Sequence, residues 1–352
     1  MKKRGMIEVN FNWIFILIAG AVIFVFFINI VNKQRQFSEI KTSGSIVTNL
    51  ESILTGAQVS TGTVNIIDLP KVDIGFECDR YFIGPVPKQT RGNVIFAPNL
   101  LKGKQMITWT LDWNLPYRVT NILYITDPEL RYIIVYDSNT EALAKKLDDE
   151  LPKEMNKELV DKTKLGNLGD KNNYQVRFIF LAGVTLDATA ANGLTNLAKM
   201  RDEDVTAINL TEPGTSNILS NTGTIKFLQK QGNIWVEKGT TYYLKKETFF
   251  GAIFAADLET YNCVMKKAFK KLNLVTKVYT QRSTELRTYY GFTNTCFSPH
   301  DTARLVNMEQ YSQTQSDDFP NDLAAINAIQ TTYTSIKDQN QRAQLFSCAL
   351  IY

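Results

Sequence analysis

One apolar stretch near the start of the chain, residues 13–31 (WIFILIAGAVIFVFFINIV), constrains the fold more than any other feature. It contains no charged residue, and Asn29 is its only strongly polar side chain. A helix of about 19 residues rises roughly 28 Å, close to the hydrocarbon thickness of a bilayer. A cleaved secretory signal has a shorter apolar core and a small-residue cleavage site, which residues 32–36 (NKQRQ) do not provide. The stretch therefore predicts a single transmembrane helix.

Basic residues flank this stretch on both sides. Lysine and arginine are denser before it than after it: Lys2, Lys3 and Arg4 precede it, and Lys33, Arg35 and Lys41 follow. By the positive-inside rule this difference favours a cytoplasmic N-terminus. We therefore expect a single-pass protein of the cell membrane whose C-terminal domain is extracytoplasmic.

The rest of the chain has the composition of a folded globular part. Of all 352 residues, 44% are hydrophobic and 21% are charged, which is ordinary for a globular protein. The net charge of +4 is mild and shows no dense basic stripe, so we expect no nucleic-acid partner. The partners predicted instead are the lipid bilayer and other membrane or surface proteins, including further copies of this chain.

The fold class predicted is α+β, with a strand-rich part first and a helix-rich part last. The clearest strand covers residues 107–114, where apolar and polar side chains alternate. Strand and helix then alternate from residue 131 to residue 210, which indicates an α/β layer with parallel pairing. The predicted regions are a basic N-terminal segment (1–12), the transmembrane helix (13–31), a membrane-proximal helical stalk (32–60), a strand-rich region (61–137), an α/β region with hairpins (138–255) and a helix-rich region (256–352).

Within these regions several elements are predicted individually. Leucine and methionine at four-residue intervals predict a helix over residues 139–164, kinked or split at Pro152. Two hairpins are expected, with turns at residues 230–232 and 238–240. An amphipathic helix is predicted over 257–276, with acidic residues at its start and lysines towards its end. Ser298 and Pro299 are expected to open a further helix, and another is predicted over 323–336.

Four cysteines, Cys78, Cys263, Cys296 and Cys348, lie far apart and form no CxxC pair. This spacing argues against a zinc site, and no other metal site is expected. In an extracytoplasmic domain an even number of cysteines is compatible with two disulfides, for which three pairings exist. The alternative is a set of free buried thiols, since cysteine packs as a small hydrophobe.

No catalytic constellation is recognisable, so the chain is predicted not to be an enzyme and to need no cofactor. His300, the only histidine, is expected at the surface at the start of a helix, and the acidic runs 148–150 and 202–204 are expected to be solvated.

Asn209 lies in the one N-x-T sequon and is a candidate glycosylation site. Four lysines are predicted to form a basic face on one helix: Lys266, Lys267, Lys270 and Lys271. This face is either solvated or a contact for acidic headgroups or acidic partners.

The N-terminus carries a resemblance. Lys3, Arg4 and Gly5, followed by Glu8 and an apolar helix, resemble the class III signal of archaeal type IV pilins and archaellins. The resemblance implies cleavage between Gly5 and Met6 and a helix that packs in a filament core. The pattern departs from that family, because Glu8 would be the third mature residue rather than the fifth. Residues 3–27 and 107–126 also resemble uncharacterised single-pass membrane proteins of small-genome archaea, which imply no activity.

These observations favour a membrane-anchored, pilin-like structural or assembly protein of the cell surface. The alternative is a single-pass binding or scaffold subunit of a larger membrane-associated complex. Processing at Met6 would favour the first hypothesis. An intact Met1 with a stable heteromeric partner would favour the second.

Overall fold

A computed structural model shows a mixed α and β architecture. It describes residues 13, 16–31, 33, 51–52, 54–56, 61–69, 73–90, 92–169, 171, 173–181, 193–210 and 222–352. The described residues form three β-sheets, of four, six and four strands, and a group of C-terminal helices. This agrees with the predicted combination of strands and helices, including the order of strand-rich and helix-rich parts.

Two four-stranded sheets form the strand-rich part. One has the order β1-β7-β8-β5 and the other β4-β3-β2-β6. Trp109 and Trp113 lie on one face of β7 and are buried in the largest core cluster, as the alternation of apolar side chains predicted. The strands are β1 (Val64–Asp68), β2 (Ile74–Phe76), β3 (Arg80–Ile83), β4 (Val86–Gln89), β5 (Val94–Phe96), β6 (Leu100–Leu101), β7 (Gln105–Asn114) and β8 (Arg118–Thr126).

The six-stranded sheet contains the predicted parallel pairing. Its order is β10-β9-β11-β12-β13-β14, with the first four strands parallel and the last two antiparallel. Parallel strands need crossover connections, and α2 (Glu141–Glu150) supplies the one between β9 and β10. The strands are β9 (Leu130–Tyr136), β10 (Lys157–Asp161), β11 (Gln175–Phe180), β12 (Val205–Leu210), β13 (Thr222–Gln231) and β14 (Ile234–Leu244).

Within the described residues 245–352 there are four α-helices: α3 (Lys245–Phe254), α4 (Leu258–Tyr290), α5 (Ala303–Asp317) and α6 (Leu323–Leu345). The first half of α4 packs against the sheets, α5 packs against α4, and α6 packs against α5 and strands β13 and β14. The C-terminal residues pack against the domain, since Ile351 is buried and the Tyr352 ring contacts that of Tyr117. The predicted helices over 257–276 and 323–336 are therefore real but considerably longer.

The predicted helix over 139–164 is wrong beyond α2. The chain leaves the helix at Leu151, before Pro152, and residues 157–161 form β10 in parallel register with β9. Proline removes a backbone donor and blocks the preceding turn, which ends the helix rather than kinking it. Leu151 and Met155 keep the four-residue spacing of apolar residues because both side chains are buried, although the connection in which they lie is not helical.

Two other local predictions are also wrong. Residues 238–240 form no second hairpin, because β14 runs through them as one strand paired with β13. The pairing is irregular at this point, where Gly239 has a φ of 140°. Ser298 and Pro299 do not open an α-helix. They lie within a 3₁₀-helix, Thr295–His300, and α5 begins only after Thr302.

Near the N-terminus, residues 16–31 form a helix, α1, whose apolar side chains are exposed, including Leu17 and Phe24. In the part of the chain that the structure describes, no helix is both long and apolar enough to cross a membrane. Residues 14 and 15 of the predicted span lie outside the described part, as do residues 34–50 of the predicted stalk. At the end of that stalk, Leu54 is buried in a core cluster with strands β2 and β3, and Glu51 pairs with Lys88 at 2.9 Å.

Candidate functional site

Three adjoining cavities open where α4 begins, and Asp257 lines all of them. Their volumes are about 720, 510 and 150 Å³, and we call them together the Asp257 cleft. A concave site lined by a few convergent polar groups is the usual form of a binding site. The lining comes from the sheet β4-β3-β2-β6, the six-stranded sheet, α4 and the neighbouring loops: Gly75, Phe76, Glu77, Cys78, Phe82, Asn99, Gln175, Arg177, Glu203, Thr206, Phe227, Leu228, Gln229, Lys238, Ala256, Asp257, Leu258, Glu259, Thr260, Asn262, Cys263, Lys266 and Phe319.

Local chemistry explains why the chain turns at this point. Ala255 ends α3 in extended backbone, and Asp257 then caps α4 by accepting a hydrogen bond of 2.7 Å from the Thr260 amide. A carboxylate at the N-cap satisfies a free amide and interacts favourably with the helix dipole. The cap therefore holds the Asp257 carboxylate in place at the centre of the cleft.

The Cys78–Cys263 disulfide forms part of the wall between the two larger cavities. It is half-exposed, whereas Cys296 and Cys348, which form the second disulfide, are buried. The two sulfurs of the first disulfide and a carboxylate oxygen of Asp79 lie within 4.8 Å of one another. Because both sulfurs are bonded to each other, they offer no thiolate to a metal ion in this state.

The cleft carries charges of both signs. In the largest cavity Lys238 and Lys266 face the same space as Asp257 and Glu259. The second cavity is acidic, and of its carboxylates Glu77 is ion-paired with Arg80 at 2.7 Å. Among the described lining residues there is no histidine or free thiol that could act as a base or nucleophile. Charges of both signs beside amide side chains are suited to binding a polar partner.

Arg177, on β11, lies buried beneath the smallest cavity. It donates hydrogen bonds to the Thr206 hydroxyl at 2.9 Å and to the carbonyls of Ala252, Ala255 and Ala256 at 2.7, 3.0 and 3.5 Å. Burial lowers the pKa of Arg177 to about 10. The guanidinium thus supplies donors to the carbonyls that α3 leaves free at its C-terminus, where the helix dipole is negative.

The substitution Arg177→Met should lower the free energy of unfolding by about 3 kcal/mol, because several buried carbonyls lose their donors at about 1–3 kcal/mol each. Urea denaturation monitored by circular dichroism would measure the loss. Arg118→Met, at the exposed start of β8, is the matched control and should change stability little. An equal loss in both variants would contradict the role given to Arg177.

The four lysines of the predicted basic face have different surroundings in the structure. Lys267 donates to the Cys78 carbonyl and pairs with Asp79 at 2.9 Å, and Lys271 donates to the Thr120 hydroxyl at 3.1 Å. Burial, together with the neighbouring Lys267, lowers the pKa of Lys271. Lys266 lines the cleft and Lys270 is exposed. The four lysines therefore do not form one free surface.

His300 is buried, so the expectation of surface chemistry was wrong. Its ring nitrogens lie 2.6 and 2.8 Å from the carbonyl oxygens of Cys296 and Ala349, and its ring stacks on Tyr290. These contacts join the 3₁₀-helix to the C-terminal residues. The role of His300 is to hold this part of the fold together.

The remaining predicted positions lie away from the cleft. Asn209 is half-buried on β12, a strand inside the six-stranded sheet, and Gly5 and Met6 lie outside the described residues. The acidic runs are partly paired rather than simply solvated: Asp202 contacts Lys230 at 2.6 Å, and Asp148 contacts Lys157 at 3.1 Å.

Sequence reasoning missed Arg177 and the cleft itself. A signal was present, because Arg177 lies between apolar residues, Val176 and Phe178, and an arginine in such a setting is buried only when it is partnered. The chain matches no known protein family, no curated protein and no solved structure. The Asp257 cleft is therefore defined by its geometry and chemistry alone.

Proposed function

We propose that the chain is a membrane-anchored structural or assembly protein whose disulfide-bonded domain lies outside the cytoplasm. The two disulfides, Cys78–Cys263 and Cys296–Cys348, are the observation that carries this proposal. Disulfides form and persist in oxidising compartments and are rare in the cytosol. Their presence supports the orientation that the N-terminal positive charges favour.

The anchoring part of the proposal is supported by α1. Residues 16–31 carry no charge and expose their apolar side chains, which is unfavourable in water. A bilayer, or other copies of the same helix within it, would remove that surface from water. Packing of such helices is what the pilin-like N-terminus implies for assembly.

The Asp257 cleft favours a second candidate function, a binding or scaffold subunit of a membrane-associated complex. Its two larger cavities adjoin along the disulfide and present amides, both charge signs and the Phe82 and Phe319 side chains. A mixture of aromatic and polar groups is typical of protein-binding surfaces. A partner segment seated there would make the chain a docking subunit rather than a filament subunit.

Mass spectrometry of the protein from native membranes tests the proposal. Without reduction, we expect peptides cross-linked through Cys78–Cys263 and Cys296–Cys348. A mature N-terminus at Met6 would favour the pilin-like assembly function, and an intact Met1 with a co-purifying partner would favour the binding subunit. Four free thiols would contradict the extracytoplasmic placement.

A further inference from the structure

The helix α1 carries one polar side chain on an otherwise apolar surface. Among residues 16–31 Asn29 is the only strongly polar residue, and its side chain is exposed. We propose that α1 pairs in parallel with α1 of a second copy of this chain, through a face that contains Asn29. This inference rests on the proposed anchoring of the chain in a membrane, and it names the partner of that anchor.

The position of Asn29 along the helix determines what surrounds its amide. Val22 is the middle of the apolar stretch 13–31, and Asn29 lies seven residues beyond it. At 1.5 Å per residue its Cα atom lies about 10 Å from the bilayer centre, inside the roughly 15 Å half-thickness of the hydrocarbon. Helical side chains tilt towards the N-terminus, which directs the short Asn29 side chain towards the centre rather than the nearer headgroups. Lipid therefore leaves its donors and its acceptor unpaired, which is costly in hydrocarbon.

Three further side chains share the face of α1 on which Asn29 lies: Ile18, Val22 and Val25. At about 100° per residue, these three and Asn29 fall within about 60° around the helix axis. All four are exposed. Their spacing of four, three and four residues is that of the a and d positions of a heptad repeat, in which an asparagine at one a position fixes the register. We call these four residues the Asn29 seam.

The sizes of the surrounding side chains favour contact at the Asn29 seam. Ala19 and Ala21 flank it on either side, and small residues let the backbones of membrane helices approach closely. The ring of Phe27 lies on the opposite side of the helix, about 170° from the seam, where it would face lipid. The seam is therefore the face on which a second helix can pack most closely.

Two copies of the chain can satisfy each other's Asn29. Copies inserted with the same topology run parallel, which places their Asn29 side chains at the same depth. A side-chain amide is self-complementary, because it donates through Nδ2 and accepts through Oδ1, so two of them can bond reciprocally across a two-fold axis. Asparagine side chains form such hydrogen bonds between membrane helices. The bilayer alone covers the apolar side chains but leaves the amide unpaired, which favours a second copy.

Sedimentation equilibrium of the full chain, in detergent micelles matched in density to the solvent, tests the pairing. We expect a dimer. Asn29→Val should raise its dissociation constant by about tenfold, the effect of an interhelical hydrogen-bonded pair in a membrane. Asn29→Gln keeps the amide and should preserve the dimer. Phe27→Val, on the opposite side of α1, is the matched control and should leave the dissociation constant nearly unchanged.

Flotation of the same proteins with phosphatidylcholine vesicles separates this inference from the anchor. A chain that floats but sediments as a monomer, or a dimer that Asn29→Val does not weaken, would overturn the pairing and leave the anchor intact. Failure to float would overturn both.

Photo-cross-linking in the membranes of expressing cells identifies the neighbour of the Asn29 seam. A photo-activatable residue in place of Val22 should give a product that contains peptides of this chain only, at twice the mass of the chain. Products with lipid alone, or with an unlike protein, would overturn the assignment of the seam to a second copy.

Discussion

Replacing Cys78 and Cys263 together by serine should lower the free energy of unfolding by about 5 kcal/mol, as chain entropy predicts for so long a loop. The disulfide joins residues 185 positions apart, so its loss releases a large part of the unfolded chain. It also ties the second four-stranded sheet to α4 beside the Asp257 cleft. The loss should therefore loosen the cleft as well as the whole fold.

The matched control is the Cys296→Ser, Cys348→Ser double variant. Its disulfide spans 52 residues, so the expected loss is smaller, about 4 kcal/mol. Urea denaturation of both variants measures the difference. Limiting reductant followed by alkylation should modify Cys78 and Cys263 first, because thiol exchange requires access to the sulfur. A larger loss from the Cys296–Cys348 pair would contradict the ranking.

Above pH 10 the protein should lose stability steeply. Burial raises the pKa of six tyrosines above the usual value of 10.0: Tyr117, Tyr124, Tyr132, Tyr174, Tyr261 and Tyr352. The unfolded chain then releases protons that the folded protein keeps, so their contribution is complete below pH 10 and is lost as the pH rises. Each of these tyrosines lowers the free energy of unfolding by about 1.4 kcal/mol per pH unit in this range.

Arg177 acts in the opposite direction, since its pKa of about 10 in the folded protein lies below the usual value for arginine. The net slope expected just above the tyrosine reference value is thus at most about 7 kcal/mol per pH unit, from six tyrosines opposed by one arginine. Urea denaturation at several alkaline pH values measures this slope, and tyrosinate absorbance at the same pH values reports how many tyrosines have ionised. Tyr117→Phe should reduce the slope, whereas Tyr289→Phe, at an exposed position, should leave it unchanged. Ionisation of all tyrosines before unfolding would contradict the prediction.

Much of the fold was predictable because its signals are local. Alternation over residues 107–114 identifies β7, and Asp257 followed by an apolar stripe identifies the start of α4. Regular patterns report which side of one element is buried, and capping residues report where it begins. The parallel pairing of β9, β11 and β12 also followed from alternating strands and helices, because crossover connections leave few other arrangements.

Predictions from local sequence patterns were wrong where one pattern is compatible with more than one secondary structure. The leucines before and after Pro152 suit a helix, yet residues 157–161 complete a sheet beside β9. Gly239 has the sequence signature of a turn, but the hairpin partner β13 extends past it. In both cases pairing with a distant strand outweighs local preference, because a strand edge offers hydrogen bonds to every residue in register.

The sequence by itself determined the apolar N-terminal stretch, the mixed architecture and the places of the clearest strands and helices, since each depends on residues close together in the chain. Only the tertiary structure decided which cysteines pair, because residues up to 185 positions apart must meet. It also decided that His300 and Arg177 are buried and that Phe292 is exposed. Burial depends on what packs against a residue from elsewhere in the chain, and no local pattern contains that information.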